Sequence, residues 1–268
     1  MDNSELAKRM KRYEQVTNDV LIIRMPVIIR IDGKAFHTFT RGFQKPFDEI
    51  LIKSMQETMK FLCENIQGCV FGYTQSDEIS LVLVDYKNIG TDSWLDYRVQ
   101  KICSITASMA TMAFNKAFSK IFNEWGGENF PDWYSGGTNA LIDKKLMKLC
   151  ETYGNAEEHG AMFDARCFNL SKEEVTNNIY WRQLDATRNS IQMLGQANFS
   201  HEELQDKSCN DIQDMLMVKK GINWNELPTY QKRGSCCIKN ATSSWIIDKE
   251  IPIFRGEGRE YIEKLINF

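Results

Sequence analysis

Two apolar runs of strand length, Cys69-Val-Phe-Gly-Tyr73 and Ile79-Ser-Leu-Val-Leu-Val84, are separated only by the polar link Thr74-Gln75-Ser76-Asp77-Glu78. So short a link between two strands predicts an antiparallel hairpin. Upstream, Val27-Ile-Ile-Arg-Ile31 is a β-branched run closed by Asp32-Gly33, which predicts a strand followed by a turn. Between this strand and the hairpin, Pro46, Asp48 and Glu49 suit a helix start. That helix is expected to run to about Asn65, with Ile50, Met55, Met59, Phe61 and Leu62 as its apolar positions. Residues 94–122 predict a long helix, since Ile102, Ile105, Met109 and Met112 recur at three- and four-residue spacing. Partial alternation over residues 161–168 predicts a fourth strand. The order β-α-β-β-α-β is the ferredoxin-like split pattern, an α+β fold.

Residues 4–15 predict a short charged helix. Past residue 170 the chain reads as mainly helical. Ser171 with Glu174 and Ser200 with Glu203 have capping-box spacing, framed by the pairs Leu170–Val175 and Phe199–Leu204. The expected organisation is a core over residues 1–170, with residues 171–268 packed on it as one continuous unit. A chain of 268 residues is long enough for a sizeable buried core.

Composition excludes several function classes. No apolar run approaches the ~20 residues that span a bilayer, and the N-terminal residues lack the apolar core of a signal peptide. No membrane partner and a cytoplasmic location are expected. The 8 cysteines form no C-x-x-C pair and the 3 histidines are scattered, so a structural zinc site is not expected. The net charge of −3 means that any nucleic acid must be gripped locally. Basic clusters stand at Lys8, Arg9, Lys11 and Arg12, at Lys144, Lys145 and Lys148, and at Lys232 and Arg233; each reads first as a solvated face.

One constellation suggests chemistry. Asp32 follows the first strand, and Asp77 and Glu78 sit at the hairpin tip. In a ferredoxin-like sheet these acids meet at one edge. Carboxylates converging without a lysine or arginine between them repel unless a cation neutralises them. Hard oxygen ligands suit Mg²⁺, which leaves positions for phosphate oxygens and water. Gly33 would let the backbone approach a metal or phosphate. Lys34, Lys45, Arg98 and Lys101 supply positive charge for a nucleoside triphosphate, and Arg98 and Lys101 share a helix face. Phe36, His37, Phe39 and Phe43 are either core or a stacking surface for a base.

Six blocks carry a family likeness: Arg30-Ile-Asp-Gly-Lys-Ala-Phe-His37, Phe43-Gln-Lys-Pro46, Gly72-Tyr-Thr-Gln-Ser-Asp-Glu78, Phe163-Asp-Ala-Arg166, Trp181-Arg-Gln-Leu-Asp185 and Leu227-Pro-Thr-Tyr-Gln-Lys-Arg-Gly234. In this order, from about residue 25 to residue 235, they closely resemble the signature blocks of the tRNA(His) guanylyltransferase family. The resemblance implies a polymerase-palm-like catalytic core and nucleotide addition to the 5′ end of tRNA in the 3′→5′ direction. It implies that Asp32 and Asp77 bind two Mg²⁺ ions, that the Gly33 carbonyl completes one site, and that Glu78 supports the acidic cluster. Lys34, Ala35, Phe36, His37 and Ser76 would contact the nucleotide, and Lys45, Arg98, Lys101 and Asn189 would contact or approach the triphosphate. ATP would activate a 5′-monophosphate end, GTP or another nucleoside triphosphate would be added, and the assembly would be a homo-tetramer.

The chain departs from the family pattern at Thr187-Arg188-Asn189-Ser190, where members specific for tRNA(His) carry His-Ile-Asn-Asn. This favours the guanylyltransferase-like branch, in which template pairing selects the base added to truncated tRNA. The alternatives are a strict tRNA(His) guanylyltransferase, a palm-type nucleotide cyclase and a tRNA-binding chaperone with a vestigial site.

Overall fold

A computed structural model describes residues 4–130 and 143–267. Its helices and strands follow in this order: α1 (Glu5–Gln15), β1 (Val27–Gly33), α2 (Phe36–Phe39), α3 (Glu49–Asn65), β2 (Cys69–Gln75), β3 (Glu78–Leu83), α4 (Val99–Asn129), α5 (Lys144–His159), β4 (Phe163–Asn169), α6 (Lys172–Asn198), α7 (His201–Leu204), α8 (Cys209–Lys220), α9 (Thr229–Arg233), β5 (Ser235–Lys239), β6 (Trp245–Asp248) and α10 (Glu260–Ile266). One sheet of six strands runs β4-β1-β3-β2-β5-β6, and every described pairing in it is antiparallel. The expected β-α-β-β-α-β order is present as β1-α3-β2-β3-α4-β4, and the α+β architecture holds.

Strand alternation explains why both sheet faces are covered. Val27, Ile29 and Ile31 of β1 and Ile79, Leu81 and Leu83 of β3 face α3 and α4 in the main core, with Met55, Met59, Leu62, Ile102 and Phe114. On the other face, Ile28, Phe71, Tyr73 and Val82 pack against Val175 and Ile179 of α6, Phe254, and Ile262 and Ile266 of α10. Since β1 and β3 are buried on both faces, their sequences read as near-continuous apolar runs. A smaller core joins Ile191 and Leu194 of α6 to Ile212 and Leu216 of α8 and to Trp224.

Several expectations are corrected. Asp32 and Gly33 do not form a turn past the strand; they are its last residues, with Asp32 opposite both Glu78 and Asp164. Neighbours on both sides pair with Asp32, and β4 continues the ladder through Gly33. The long helix starts at Val99, not 94, because Leu95, Asp96 and Tyr97 adopt positive φ angles. It runs on to Asn129. The C-terminal part is mainly helical but also supplies β5 and β6, so the sheet crosses the expected boundary at residue 170.

The Ser200–Glu203 capping box forms. The one at Ser171 does not: its side chain caps no helix N–H, and the Glu174 carboxylate accepts from the Asn177 amide instead. A further box joins Ser208 and Asp211 at the start of α8. Among the described residues no helix is long and apolar enough to cross a membrane.

Candidate active site

β1 and β3 place Asp32 beside Glu78, and a two-residue loop, Ser76-Asp77, joins β2 to β3. The Gly33 N–H donates to the Asp77 carbonyl at 3.1 Å, which fixes the hairpin tip against the end of β1. Ser76 has φ +50° and Ala35 has φ +53°, left-handed conformations that cost a non-glycine residue about 1–3 kcal/mol each. Both flank the carboxylates, so the surrounding structure holds this backbone in place.

The three acids differ in environment. Burial pushes the Asp77 carboxyl up from its ordinary range, and the Asp32 charge adds to the shift; hydrogen bonds from its own backbone N–H and from Ser76 pull against it. Among the described residues no cation lies within ion-pair distance of Asp77. Among the described residues Asp32 has one loose partner, Arg166, at 3.9 Å, and Arg166 also approaches Asp164 at 3.3 Å. Two adjacent carboxylates with so little compensation are a place where a hard cation binds favourably.

Glu78 corrects the sequence reading. The acids do not converge without basic groups, because Glu78 is gripped by two guanidiniums, Arg30 at 2.7 Å and Arg182 at 2.8 Å. Burial pushes its carboxyl up, and Arg182 and Arg30 oppose that shift. Its oxygens are thus committed to arginines. Among the described residues no group of three or more His, Cys, Asp and Glu side chains is placed to hold a metal. The oxygen set left for a cation is Asp32, Asp77 and the Gly33 carbonyl.

Arg182 extends the ionic chain to Asp185 at 2.7 Å, and Asp185 pairs with Arg188. The Arg182 guanidinium also lies 4.3 Å from the Trp181 ring centroid. Arg30, Arg182 and Asp185 were missed as site residues. The spacing of Arg182 and Asp185 on one helix face was the available signal, but it reads as an ordinary surface pair.

The nucleotide-contact expectations divide. His37, Lys45, Ser76 and Asp77 line one cavity of about 350 Å³, together with Phe43 and Met193. Asn189 lies in a smaller pocket of about 80 Å³ that shares Ser76 and Met193 with it. Lys34 and Ala35 line a separate cavity across α2. Phe36 borders the cavity beside Asp77 but is only 4% exposed, which commits most of its ring to the core rather than to a base. Its ring is buried against Phe39, Phe114 and Phe163. A Cβ at Gly33 would lie 2.2 Å from that ring, so the glycine is needed for packing whether or not a phosphate approaches.

Arg98 and Lys101 are not brought to the carboxylates within one chain. Arg98 pairs with Val20, and the Cys167 thiol, opposite Ile29 in the register, reaches the Val99 carbonyl. The start of α4 therefore lies toward the Val27 end of the sheet, away from Asp32. The basic cluster at Lys232 and Arg233 lies in α9, beside the small pocket.

Comparison with known proteins gives this geometry a family. A family model described as "Thg1: tRNAHis guanylyltransferase" matches residues 7–171. The chain is similar to a bacterial tRNA(His) guanylyltransferase (Thg1)-like protein solved in complex with ATP, at 42% identity and a TM-score of 0.81, covering 98% of this chain and all of that one. A bacterial tRNA(His) guanylyltransferase (Thg1)-like protein in complex with GTP aligns at 38% identity and a TM-score of 0.76, over 99% of this chain and all of that one. The tRNA(His) guanylyltransferase of Saccharomyces cerevisiae is 24% identical over 82% of this chain and 84% of its own length. The family model over residues 7–171, on a ferredoxin-like sheet shared with solved relatives that cover nearly the whole chain, places the chain in the tRNAHis guanylyltransferase family, whose members are nucleotidyltransferases.

Proposed function

We propose that this protein is a Mg²⁺-dependent, template-directed 3′–5′ nucleotidyltransferase that adds nucleotides to the 5′ end of truncated tRNA. The observation that carries the reading is the pair Asp32–Asp77, loosely compensated and adjoining a cavity lined by His37, Lys45 and Ser76. The solved relatives complexed with ATP and with GTP support nucleoside triphosphates as substrates.

The residues fit a hard divalent cation. Asp32, Asp77 and the Gly33 carbonyl would hold it, and when bound it would stabilise negative charge on the attacking and leaving oxygens of an in-line displacement. The chain's own groups do the rest. Lys45 and His37 line the cavity and bind phosphate oxygens. Arg30 and Arg182 neutralise Glu78, so that it adds no third repelling charge beside Asp32. In the reaction, the 3′-hydroxyl oxygen of the incoming nucleotide forms a bond to the α-phosphorus of the activated 5′ end. The bond to the leaving pyrophosphate or adenylate breaks, and the hydroxyl proton passes to solvent.

Template direction rests on the departure at residues 187–190. Here Arg188 is tied to Asp185, and the Ser190 hydroxyl accepts from the Trp224 indole at 3.0 Å. Those side chains are committed within the fold, which favours selection of the incoming base by the opposite strand. The test is extension of a 5′-triphosphorylated, truncated tRNA with each nucleotide in turn and with the opposing base varied. Addition of the complementary nucleotide is expected; guanylate added regardless of the opposing base would overturn templating in favour of strict guanylate addition.

A further inference from the structure

The helix α2 is a partition between two cavities. Phe36, His37 and Thr40 face the cavity beside Asp77, whereas Ala35, Thr38 and Phe39 face a second cavity of about 460 Å³. Residues 36, 37 and 40 against 35, 38 and 39 is the division that helical periodicity gives to two sides of one turn. The second cavity continues from the catalytic strand itself, since Lys34 follows Gly33 and its N–H donates to the Met162 carbonyl at 2.8 Å.

The far wall is the C-terminal half of α5, where Thr152, Asn155 and His159 line the space. This wall is held in place. Asn115 of α4 both donates to the Ala161 carbonyl at 3.0 Å and accepts from the Ala161 N–H at 2.8 Å. Gly42, at φ +90°, passes so close to Thr152 that a Cβ there would lie 3.2 Å from its methyl group. The cavity is therefore preformed between fixed elements.

Its chemistry is one-signed. Among the described residues the lining carries Lys34, Arg41 and His159 and no carboxylate, with the Thr38 hydroxyl and the Asn155 amide as further donors; the Thr152 hydroxyl is spent on the Lys148 carbonyl at 2.8 Å. Among the described residues none of these three basic side chains is within ion-pair distance of an acid. Two permanent cations in one concavity with no counter-charge repel, and an anion that enters relieves this. The cavity beside Asp77 differs: it is lined by both acids and bases.

We propose that the cavity between α2 and α5 binds the phosphorylated 5′ terminus of the acceptor RNA, while the cavity beside Asp77 binds the incoming nucleotide. The assignment rests on the transferase reading, which needs two phosphate-bearing reactants to approach one pair of carboxylates from different sides. The partition separates two such places: Asp77 lines one, and Lys34, two residues past Asp32 in the chain, lines the other. The shared chemistry is a phosphate ester, whose sources are an RNA end or the phosphates of a free nucleotide.

The test uses Arg41→Ala and His159→Gln, both exposed positions whose change leaves the core untouched. Binding of truncated tRNA is measured with a 5′-triphosphate and with a 5′-hydroxyl, in wild type and variants, without added nucleotide. Wild type is expected to prefer the phosphorylated end, and Arg41→Ala to lose about tenfold in affinity for that end only, the effect of one charged hydrogen bond. Arg41→Lys, which keeps the charge, is expected to retain most of the preference. In extension assays the RNA KM is expected to rise in Arg41→Ala and the nucleotide KM to stay within about twofold.

An undiminished preference for the phosphorylated end in both Arg41→Ala and His159→Gln would overturn the assignment. A rise in nucleotide KM alone would overturn it in favour of a free nucleotide in this cavity. The binding arm needs no turnover, so failure of the transferase reading, seen as no extension by wild type, is separable from failure of the pocket.

Discussion

Asp77 is the residue at which structure and chemistry are most tightly joined. Its carboxyl is pushed up by burial and by Asp32, so the folded chain holds this proton to a higher pH than the unfolded chain does. The sign of the linkage follows. As pH rises from the unfolded carboxylate value of about 4 through the raised folded value, the folded state binds more protons, and stability from this group is lost. Asp77→Asn is therefore expected to raise Tm at neutral pH in chelator and to match wild type at acid pH. It is also expected to abolish nucleotide transfer. Mg²⁺ is expected to raise the Tm of wild type and not of the variant, because only a cation that binds the folded state shifts the equilibrium. A thermal melt series over pH, with and without Mg²⁺, checks all of these outcomes. That Asp32, Asp77 and Glu78 come together was legible because the hairpin tip and the end of β1 are local features. The division of labour among them was not, since the partners that separate Glu78 from the other two come from β1 and α6.

The ionic chain Arg30–Glu78–Arg182–Asp185–Arg188 ties the sheet to α6. The side chains of Glu78 and Arg182 are only 6% and 7% exposed, so their pairing is a matter of fold stability as well as of the site. Removing Glu78 takes from Arg30 its ion-pair partner among the described residues and leaves the buried Arg182 with Asp185 alone, a loss of up to about 3–5 kcal/mol. Glu78→Ala is thus expected to lower stability by that order in urea unfolding, so its loss of activity must be judged on the folded fraction. A variant of unchanged stability would show that the arginines find other partners. The same elements explain what was readable in advance. The strands β1 and β3 were plain because burial on both faces makes them apolar throughout. β5 (Ser-Cys-Cys-Ile-Lys) and β6 (Trp-Ile-Ile-Asp) were missed because runs of five and four residues are too short for a periodic signal. The length of α4 was misjudged at its start, where three successive left-handed residues outweigh the apolar spacing.

Across the whole molecule, the sheet binds the first 170 residues to the last hundred or so. Phe71, Tyr73 and Val82 are covered by side chains of α6 and α10 and by Phe254, and β2 pairs with β5 along its outer side. A fragment of residues 1–170 is expected to lack cooperative unfolding and to bind a hydrophobic dye, because one face of its sheet and one edge would be bare. A sharp calorimetric transition in that fragment would show instead that the palm-like core is autonomous. At the opposite side, β4 is the outermost strand, and it carries Asp164 and Arg166 on its exposed positions. Charged groups on a terminal strand discourage another chain from adding itself there by main-chain pairing. The border of the sheet beside Asp32 is in this way guarded by charge against unwanted adhesion.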